Sequence, residues 1–314
     1  MSVGDSPLSE GPRAGNGAVA GGSVGNGAAP AGGDGHRPQG GPGAGPGTDP
    51  GSGPGTNDVS LLRLRGISKS FGPVRALVGV DLDIQLAQVT ALVGDNGAGK
   101  SSLIKTIAGL WEPDDGQILW QGQPVRFHGP KDAEAVGITT IYQDLALCDN
   151  LDIVQNMFLG HELLRRGTLD EDTMEERAKQ VLEDLAVVTV RSIRQPVASL
   201  SGGQRQSVAV AKAVMAKAKL VIMDEPTAAL GVAQTAMVLG LIRRLSSQGV
   251  AVLLISHNLN DVFAVADRVA ILRLGRMVAA GPASQFDRQS AVDYMTTGSS
   301  TRDGGRAHSG SEQN

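Results

Sequence analysis

The sequence predicts an α/β fold in which a mostly parallel core sheet is joined to an antiparallel β subdomain and a helical subdomain. Short alternating segments over residues 61–86, interrupted by Gly66, Phe71-Gly72-Pro73 and Gly79, indicate antiparallel strands joined by turns. Beyond them, short apolar runs alternate with helical patterns, which is typical of a parallel sheet covered by helices on both faces. Within 150–217 the periodicity is mainly helical, and this predicts a helical subdomain at about 144–217.

The individual core elements follow from apolar periodicity and from turn residues. The predicted strands lie at 89–93, 117–120, 220–223 and 250–255, and a closing hairpin spans 268–280. The predicted helices lie at 102–110, 153–159, 174–185, 204–215 and 233–247. Gly249 marks the end of the last of these helices. The sequence has no long-period internal repeat, which predicts one domain of this kind rather than two.

Composition divides the chain into a central body and two polar ends. The chain has 314 residues, of which 1–57 are dominated by Gly, Pro, Ala and Ser. Such a segment buries too little apolar surface to offset its loss of conformational entropy, so it is predicted to be a disordered extension. Residues 298–314 are similarly polar and are predicted to be a disordered tail. The body at 58–297 is long enough to bury a sizeable core.

Charge and cysteine usage limit the expected partners and location. A formal net charge of -4 lacks the positive field that non-specific nucleic-acid binding requires, so no nucleic acid is expected as a partner. The single cysteine, Cys148, cannot form an internal disulfide, which fits a reducing, cytosolic location. No apolar run reaches the ~18 residues that span a bilayer, and the N-terminus does not resemble a secretion signal. A role at a membrane would therefore require another chain to hold this one there.

A glycine-rich loop lies between the predicted strand at 89–93 and the predicted helix at 102–110, which is the context that a phosphate-binding P-loop requires. Its residues are Gly94, Asp95, Asn96, Gly97, Ala98, Gly99, Lys100 and Ser101, and Ser102 follows them. The glycines let backbone N–H groups approach phosphate oxygens, and the helix adds its positive N-terminal end. Lys100 is expected to reach the terminal phosphates and Ser101 to bind Mg2+. The alternative is a chance glycine-rich turn, and the motif by itself indicates only nucleotide binding.

Two acids follow the apolar strand at 220–223. Because ligands bind beyond the carboxyl ends of parallel strands, Asp224 is placed to hold the water shell of a metal ion. Glu225 is then placed to orient or deprotonate an attacking water molecule. A strand that merely ends in solvated acids is the alternative, and the P-loop makes it the weaker one. The two motifs together predict an ATP-hydrolysing site.

A third motif, Ser201-Gly202-Gly203-Gln204, lies at the start of a predicted helix. From these residues alone a simple N-cap is the better explanation, although such a helix start also accepts phosphate. Together with the other motifs it makes the chain resemble the ATP-binding subunits of ABC transporters over about 61–285. The resemblance implies that this signature closes over ATP held by the P-loop of a second copy. One P-loop and one signature per chain then imply a homodimer with two composite sites.

The resemblance assigns three more residues. Phe71 corresponds to the aromatic residue that stacks on adenine, although a core role explains its spacing equally well. Gln143 corresponds to the glutamine that touches metal and water and links the two subdomains; alone, it would be a surface glutamine at a strand end. His257 corresponds to the histidine that contacts the terminal phosphate, where an isolated histidine is more often structural. The implied catalytic residues are Lys100, Gln143, Glu225 and His257, and the implied metal ligands are Ser101, Gln143 and Asp224.

Three segments, at 127–131, 135–143 and 151–160, narrow the resemblance to the importers of the ribose, xylose and fructose type. Gly231 departs from the commonest family pattern, which has an Asp in this loop across the dimer interface. Communication between the two sites is then expected to use backbone contacts or to be weaker. The glycine variant occurs in the sugar-importer branch, so it does not indicate an inactive protein.

The resemblance implies an ATP-hydrolysing subunit that uses ATP and Mg2+ to energise the import of a monosaccharide across the cell membrane. Its implied partners are integral-membrane permease subunits, a second copy of the chain and, indirectly, a solute-binding protein. Its implied location is peripheral, on the cytoplasmic side of the membrane. The alternative is a non-transport ABC ATPase that acts on ribosomes or DNA, and a P-loop kinase or GTPase is a remoter one.

Two acidic features are predicted to carry no chemistry. Glu112, Asp114 and Asp115 crowd one turn, where a solvated loop is a better explanation than a cation site. His161-Glu162 lacks the second histidine of a zinc-protease helix and is expected to be an ordinary exposed pair.

Overall fold

The computed structural model describes residues 60–187 and 192–299. The predicted extension at 1–57 and all but two residues of the predicted tail at 298–314 lie outside the described residues. The strands are β1 (Ser60–Phe71), β2 (Val74–Gln85), β3 (Val89–Val93), β4 (Asp115–Trp120), β5 (Gln123–Val125), β6 (Ile138–Ile141), β7 (Leu164–Arg165), β8 (Thr168–Leu169), β9 (Leu220–Asp224), β10 (Ala251–Ile255), β11 (Arg268–Arg273) and β12 (Arg276–Pro282). The helices are α1 (Lys100–Ile107), α2 (Pro130–Val136), α3 (Ile153–Phe158), α4 (Glu171–Asp184), α5 (Gly202–Met215), α6 (Val232–Ser247), α7 (Leu259–Val265) and α8 (Arg288–Thr297).

The core sheet has six strands in the order β12-β11-β3-β10-β9-β6. Every neighbouring pair from β11 to β6 is parallel, and β12 alone runs antiparallel, as the return strand of a hairpin with β11. The predicted α/β class with a mostly parallel core sheet is therefore confirmed. The closing hairpin is part of this sheet rather than an appendage to it.

Strand register brings the carboxyl ends of the central strands to one edge of the core sheet. Leu92 pairs with Ile255, and Ile255 pairs with Asp224. On the other side of β9, Ile141 pairs with Met223. Chain segments that leave β3, β6, β9 and β10 consequently begin side by side, at the edge where open parallel sheets bind ligands.

A second sheet is antiparallel, with the order β2-β1-β4-β5, as the sequence predicts. The expected breaks at Gly66 and Gly79 are wrong, because β1 and β2 run through both positions. The two glycines have φ of 63° and 58°, and the register shifts across them. A left-handed glycine serves a β-bulge as well as a turn, so the strands bend without ending.

Side chains on the two faces of the core sheet enter different apolar clusters. On one face, Ile222 and Leu253 pack with Ile104 of α1 and with the inner face of the antiparallel sheet. On the other face, Met223 and Leu254 pack with helices α3 to α6. Alternate residues of fully buried strands thus hold α1 on one side and the helical region on the other, because successive side chains of a strand point to opposite faces.

Helices α3, α4 and α5 pack on one another within the range predicted for the helical subdomain. The small β7-β8 hairpin between α3 and α4 was not predicted from the sequence. Asn156 is fully buried in α3, and its side-chain amide bonds the backbone of Cys148 in both directions and also reaches the carbonyls of Leu151 and Asp152. This amide fixes the segment that leads from the core sheet into α3.

No helix among the described residues is long and apolar enough to cross a membrane.

Candidate nucleotide site

The glycine-rich loop leaves the buried strand β3 and enters α1 through two glycines that cannot be replaced without strain. Gly94 has φ of 156°, and a Cβ atom there would lie 2.2 Å from the carbonyl oxygen of Leu272. Gly99 precedes α1 with φ of 106°, and a Cβ atom there would lie 2.6 Å from the carbonyl oxygen of Ala76. Both obstacles are backbone atoms, so the loop fits against its neighbours only as bare backbone.

Gly275, at the tip of the β11-β12 hairpin, joins the loop to the antiparallel sheet. Its N–H donates to the carbonyl oxygen of Ala98 at 2.8 Å, and its own carbonyl accepts from the N–H of Val78 in β2 at 2.8 Å. A Cβ atom on Gly275 would lie 2.7 Å from the carbonyl oxygen of Ala76. The sequence predicts this glycine only as a turn residue, and its spacing carries no signal of a contact with the loop.

Lys100 lies across the loop that it follows. Its Nζ donates to the carbonyl oxygen of Gly94 at 2.6 Å and to that of Asp95 at 3.0 Å. Ser101 is exposed in the first turn of α1, and Ser102 beside it is half-buried. The loop thus presents an ammonium group, a hydroxyl group and a helix N-terminus on one surface, which is a set that binds anions.

Asp224 ends β9 at this edge and is half-buried. Burial raises the pKa of its carboxyl group above the ordinary value, the charge of Glu225 raises it further, and Lys100 and Lys105 oppose both effects. The two lysines that act on it belong to α1, so the acid shares an electrostatic environment with the glycine-rich loop. A desolvated carboxylate near an anion-binding loop is suited to a divalent cation. The cation would offset both the cost of burying the charge and the repulsion from Glu225.

Glu225 and His257 form a pair across the ends of β9 and β10. Glu225 Oε2 lies 2.8 Å from His257 Nδ1. The Glu225 side chain is only 17 % exposed, whereas that of His257 is 70 % exposed. Glu225 adopts a left-handed backbone with φ of 50°, held by a bond from its N–H to the carbonyl oxygen of Ile255. A strained backbone at the one acid that faces the histidine is typical of a functional position.

Gln143 follows β6 at the same edge, two residues past the end of that strand. Its side chain is exposed. Tyr142 before it packs against the core cluster that includes α1, and burial raises the pKa of its phenol, with a smaller contribution from the charge of Asp224. The structure therefore brings Gln143 to the strand edge that also carries Asp224, Glu225 and His257.

The signature residues lie elsewhere, at the start of α5. Ser201 is the N-cap of this helix: its Oγ accepts from the N–H of Gln204 at 3.4 Å, and Gln204 Oε1 accepts from the N–H of Ser201 at 2.9 Å. The side-chain atoms closest to a Cβ built on Gly202 or Gly203 belong to Leu230 and Met237. This end of α5 thus contacts α6 and the loop before it, and the N-cap that the residues alone favoured is present.

Phe71 lies at the end of β1, 40 % exposed, so it is not the core residue that the alternative interpretation required. Its ring contacts that of Trp111 with a centroid distance of 4.5 Å and an interplanar angle of 63°. Asp114 is exposed in its turn, as the sequence predicts, and it also binds Lys69 Nζ and the N–H of Ser70 at 2.7 Å each. Residues that lie forty or more positions apart in the chain make these contacts, which is why spacing gave no signal of them.

Thr227 and Asp261 form a further link that sequence reasoning missed. Thr227 lies in the loop after Glu225, and its Oγ1 donates to Asp261 Oδ2 at 2.7 Å. Asp261 is 7 % exposed and belongs to α7, the helix that follows His257. The bond ties the segment after the acids to the segment after the histidine.

Comparisons with known proteins agree on one family. The profile of the family described as ABC transporter matches residues 77–228. The fructose import ATP-binding protein FrcA of Rhizobium meliloti is 46 % identical over 243 residues, which cover 75 % of this chain and 94 % of that protein. The xylose/arabinose import ATP-binding protein XylG of Sulfolobus acidocaldarius is 44 % identical over 237 residues, which cover 76 % of this chain and 94 % of that protein.

Solved structures agree with the sequence comparisons. A crystal structure of MJ1267, an ATP-binding cassette of an ABC transporter, superposes with a TM-score of 0.67 at 26 % identity. The match covers 75 % of this chain and 96 % of that one. The similarity extends over nearly the whole of the solved cassette.

Proposed function

Since the chain belongs to the ATP-binding proteins of ABC transporters, which hydrolyse ATP with Mg2+, we propose that it energises the import of a sugar through a separate membrane permease. The observation that carries the proposal is the match to FrcA and XylG over 94 % of their lengths, because both are import proteins for sugars. The alternative of a translation or DNA-associated ATPase finds no support among these relatives.

Phosphate binding is assigned to the glycine-rich loop and to Lys100. The backbone N–H groups of 94–99 and the N-terminus of α1 would hold the phosphate oxygens. The Lys100 ammonium, which lies 2.6 Å from the carbonyl oxygen of Gly94, would turn to the terminal phosphates. Phe71 is the side chain assigned to the adenine base, which it would contact by stacking.

Three oxygen-bearing side chains fit a magnesium ion. Asp224 carries a partly desolvated carboxylate, and Ser101 and Gln143 are exposed near the same strand edge. Hard cations such as Mg2+ prefer oxygen ligands of this kind and are held by few protein groups together with phosphates. When bound, the ion would neutralise charge that develops on the phosphate oxygens.

Glu225 and His257 are assigned to the attacking water and to the terminal phosphate. Glu225 is the better shielded of the two, which favours it as the group that orients the water and accepts its proton. His257 holds the carboxylate through Nδ1 and would support charge on the terminal phosphate from its exposed side. Gln143 would orient the same water from the end of β6.

A second copy of the chain would complete each site. The capped N-terminus of α5, with Ser201, Gly202, Gly203 and Gln204, would face the nucleotide of the partner subunit. Closure of two copies over two ATP molecules would drive the permease, and hydrolysis would reset it. The further partners under this proposal are integral-membrane permease subunits and, indirectly, a solute-binding protein, with the chain held at the cytoplasmic side of the membrane.

Uptake of labelled sugars tests the proposal. The gene for this chain is deleted in its source organism, and uptake of fructose, xylose and ribose is measured. Loss of uptake of at least one sugar is expected, with recovery on return of the wild-type gene but not of Glu225→Gln. Gly240→Ala is the matched control, because Gly240 lies in α6 with no atom within 4 Å of the added Cβ, and it should restore uptake fully.

Unchanged uptake of all three sugars in the deletion strain would overturn the sugar-import proposal. Recovery of uptake with Glu225→Gln at the wild-type rate would overturn the role assigned to Glu225. Ribosomal proteins rather than a permease in a pull-down from membranes would favour the translation-associated alternative.

A further inference from the structure

The end of β1, which carries Phe71, is bound to the turn that follows α1. The N–H of Asp114 donates to the carbonyl oxygen of Ser68 at 2.9 Å, and the N–H of Ser70 donates to Asp114 Oδ2 at 2.7 Å. Lys69 Nζ donates to Asp114 Oδ1 and to the carbonyl oxygen of Glu112, each at 2.7 Å. These contacts of Asp114 and Lys69 are called the β1 clamp below. The Lys69 and Ser70 bonds lower the pKa of Asp114, so the clamp carboxylate is charged at neutral pH.

Trp111 connects the same turn to the helix of the phosphate loop. Its ring contacts that of Phe71, and Lys105 Nζ of α1 lies 4.6 Å from the Trp111 ring centroid. The N–H of Trp111 donates to the carbonyl oxygen of Lys105 at 3.2 Å. An aromatic pair in an edge-to-face arrangement and a cation over an aromatic ring each favour one relative position of the groups. Trp111 therefore spans from α1 to the Phe71 ring.

Core packing does not fix this turn from every side. Residues 111–116 line a cavity of about 540 Å³ together with Arg126 and Phe127. A turn that faces a cavity lacks packed neighbours there, so its position depends on the contacts that it does make. For this turn those contacts are the β1 clamp, the Trp111 ring, the ion pair of Glu112 with Arg126 and the pairing of β4 with β1 that begins at Asp115.

We propose that Trp111 and Asp114 are positioning residues that hold the Phe71 ring at the distance from the phosphate loop that a nucleoside triphosphate spans. The inference rests on the proposed function in one respect, the assignment of Phe71 to the adenine base. Phosphate binding is assigned to another part of the site, the backbone of the glycine-rich loop together with Lys100. The two residues should accordingly affect recognition of the base and leave recognition of the phosphates unchanged.

Steady-state kinetics of the full chain test the inference with Trp111→Leu and Asp114→Asn. Each variant should raise KM for ATP by roughly 3- to 10-fold, from the strength of one aromatic contact, with kcat within twofold of wild type. Tripolyphosphate, which has no base, serves as the second probe, and its inhibition constant should not change. Asp115→Asn is the matched control, because the carboxylate of this adjacent acid accepts from the N–H of its neighbour Gly116 and takes no part in the β1 clamp.

Three outcomes separate the possibilities. An unchanged KM for ATP in Trp111→Leu and Asp114→Asn, with a raised KM in Phe71→Ala, overturns the positioning role alone. A weaker inhibition by tripolyphosphate in parallel with ATP also overturns it, because that pattern marks general damage to the site. An unchanged KM in Phe71→Ala removes the assignment of Phe71 to the base, and the positioning role falls with it.

Fluorescence provides a readout that leaves Phe71, Trp111 and Asp114 unsubstituted. The chain has two tryptophans, and Trp120 is buried in β4 at 6 % exposure. With Trp120→Phe, emission comes from Trp111, which contacts the Phe71 ring. ATP should change this emission and tripolyphosphate should not. The same emission with and without saturating ATP would overturn the inference.

Discussion

The two ends of the nucleotide site are built in different ways. The phosphate end consists of strand ends that parallel register places side by side, with the glycine-rich loop after β3 and the acids after β9. The base end, under the proposed assignment, is the exposed ring of Phe71 at the end of an antiparallel strand, held by side chains forty or more residues away. Backbone topology sets the first, and a few long-range side-chain contacts set the second. Substitutions should therefore act on the two ends separately.

Replacement of Glu225 by Gln should produce the largest effect and should leave the base end intact. The amide keeps the size of the side chain but cannot accept a proton from water, so kcat should fall by about 10²- to 10⁴-fold. ATP affinity should change little, since neither the loop nor Phe71 is altered. Single-turnover hydrolysis and equilibrium binding of ATP measure the two quantities.

An ATP-bound dimer should also accumulate with Glu225→Gln, detectable by light scattering after gel filtration. A kcat within tenfold of wild type, with no such dimer, would show that Glu225 is not the base.

Gly94→Ala should weaken the phosphate end as a whole. The added Cβ meets the carbonyl oxygen of Leu272 at 2.2 Å on a backbone with φ of 156°, so the loop must shift. Strain of this kind costs about 1–3 kcal/mol, and affinities for ATP and for tripolyphosphate should fall together. Gly240→Ala is the matched control, since Gly240 lies in α6 outside the loop and the added Cβ meets no atom within 4 Å. Wild-type tripolyphosphate affinity in Gly94→Ala would contradict the expected shift of the loop.

Thr227→Val should lower stability by removing one hydrogen bond next to the phosphate end. The buried Asp261 carboxylate loses a donor at 2.7 Å, which costs about 1–3 kcal/mol. The melting temperature should fall by roughly 2–4 °C for each kcal/mol lost. Thr227→Ser keeps the hydroxyl and should stay near the wild-type value. Equal melting temperatures for the Val and Ser variants would mean that this bond contributes nothing to stability.

Asp224→Asn should have the smallest effect on stability. It should raise stability, whereas Thr227→Val lowers it. A raised pKa in the folded state means that the native chain holds this proton more tightly than the unfolded chain. The contribution of the group to stability is then fully present below its ordinary pKa of 3.8 and is lost as pH rises through the raised folded value. At neutral pH the uncharged amide should therefore raise the melting temperature, by roughly 2–4 °C per kcal/mol gained.

Thermal melts of Asp224→Asn and wild type in the absence of nucleotide and Mg2+ measure this difference. The gap should narrow as pH falls through the raised folded pKa and close below the ordinary value of 3.8, where the wild-type acid becomes protonated in both states. A lower melting temperature of Asp224→Asn at neutral pH would mean that burial and the charge of Glu225 do not destabilise the Asp224 carboxylate.

The sequence predicts the phosphate end of the site better than the base end. The phosphate end depends on local spacing: a strand, a glycine-rich loop and a helix for one motif, and a strand with terminal acids for another. Predicted and observed bounds of β9 and β10 differ by one residue, since both strands are short apolar runs, of which β9 ends in Asp224. The bonds of Asp114 depend instead on pairing with β1, and no local pattern specifies which distant strand a turn will meet.

Two short helices, α2 and α7, were also not predicted from the sequence. α2 and α7 have seven residues each, too few for apolar periodicity to stand out. α2 nevertheless carries local signals, with Pro130 at its first position and Gly137 in a left-handed conformation after its end. At Gly66 and Gly79 the sequence predicts breaks where the strands continue, because the sequence alone does not distinguish a bulge from a turn at glycine.

The contact of Gly275 with the glycine-rich loop sets an order of events during synthesis of the chain. The N–H that bonds the carbonyl oxygen of Ala98 belongs to a residue translated long after the loop itself. Domains generally fold as units as they leave the ribosome, but this pocket lacks part of its wall until the β11-β12 hairpin has emerged. A nascent chain that ends before residue 275 would carry every phosphate-binding motif and still lack the finished pocket. Nucleotide binding by this protein is thus acquired late in its synthesis, when nearly all of its domain has been made.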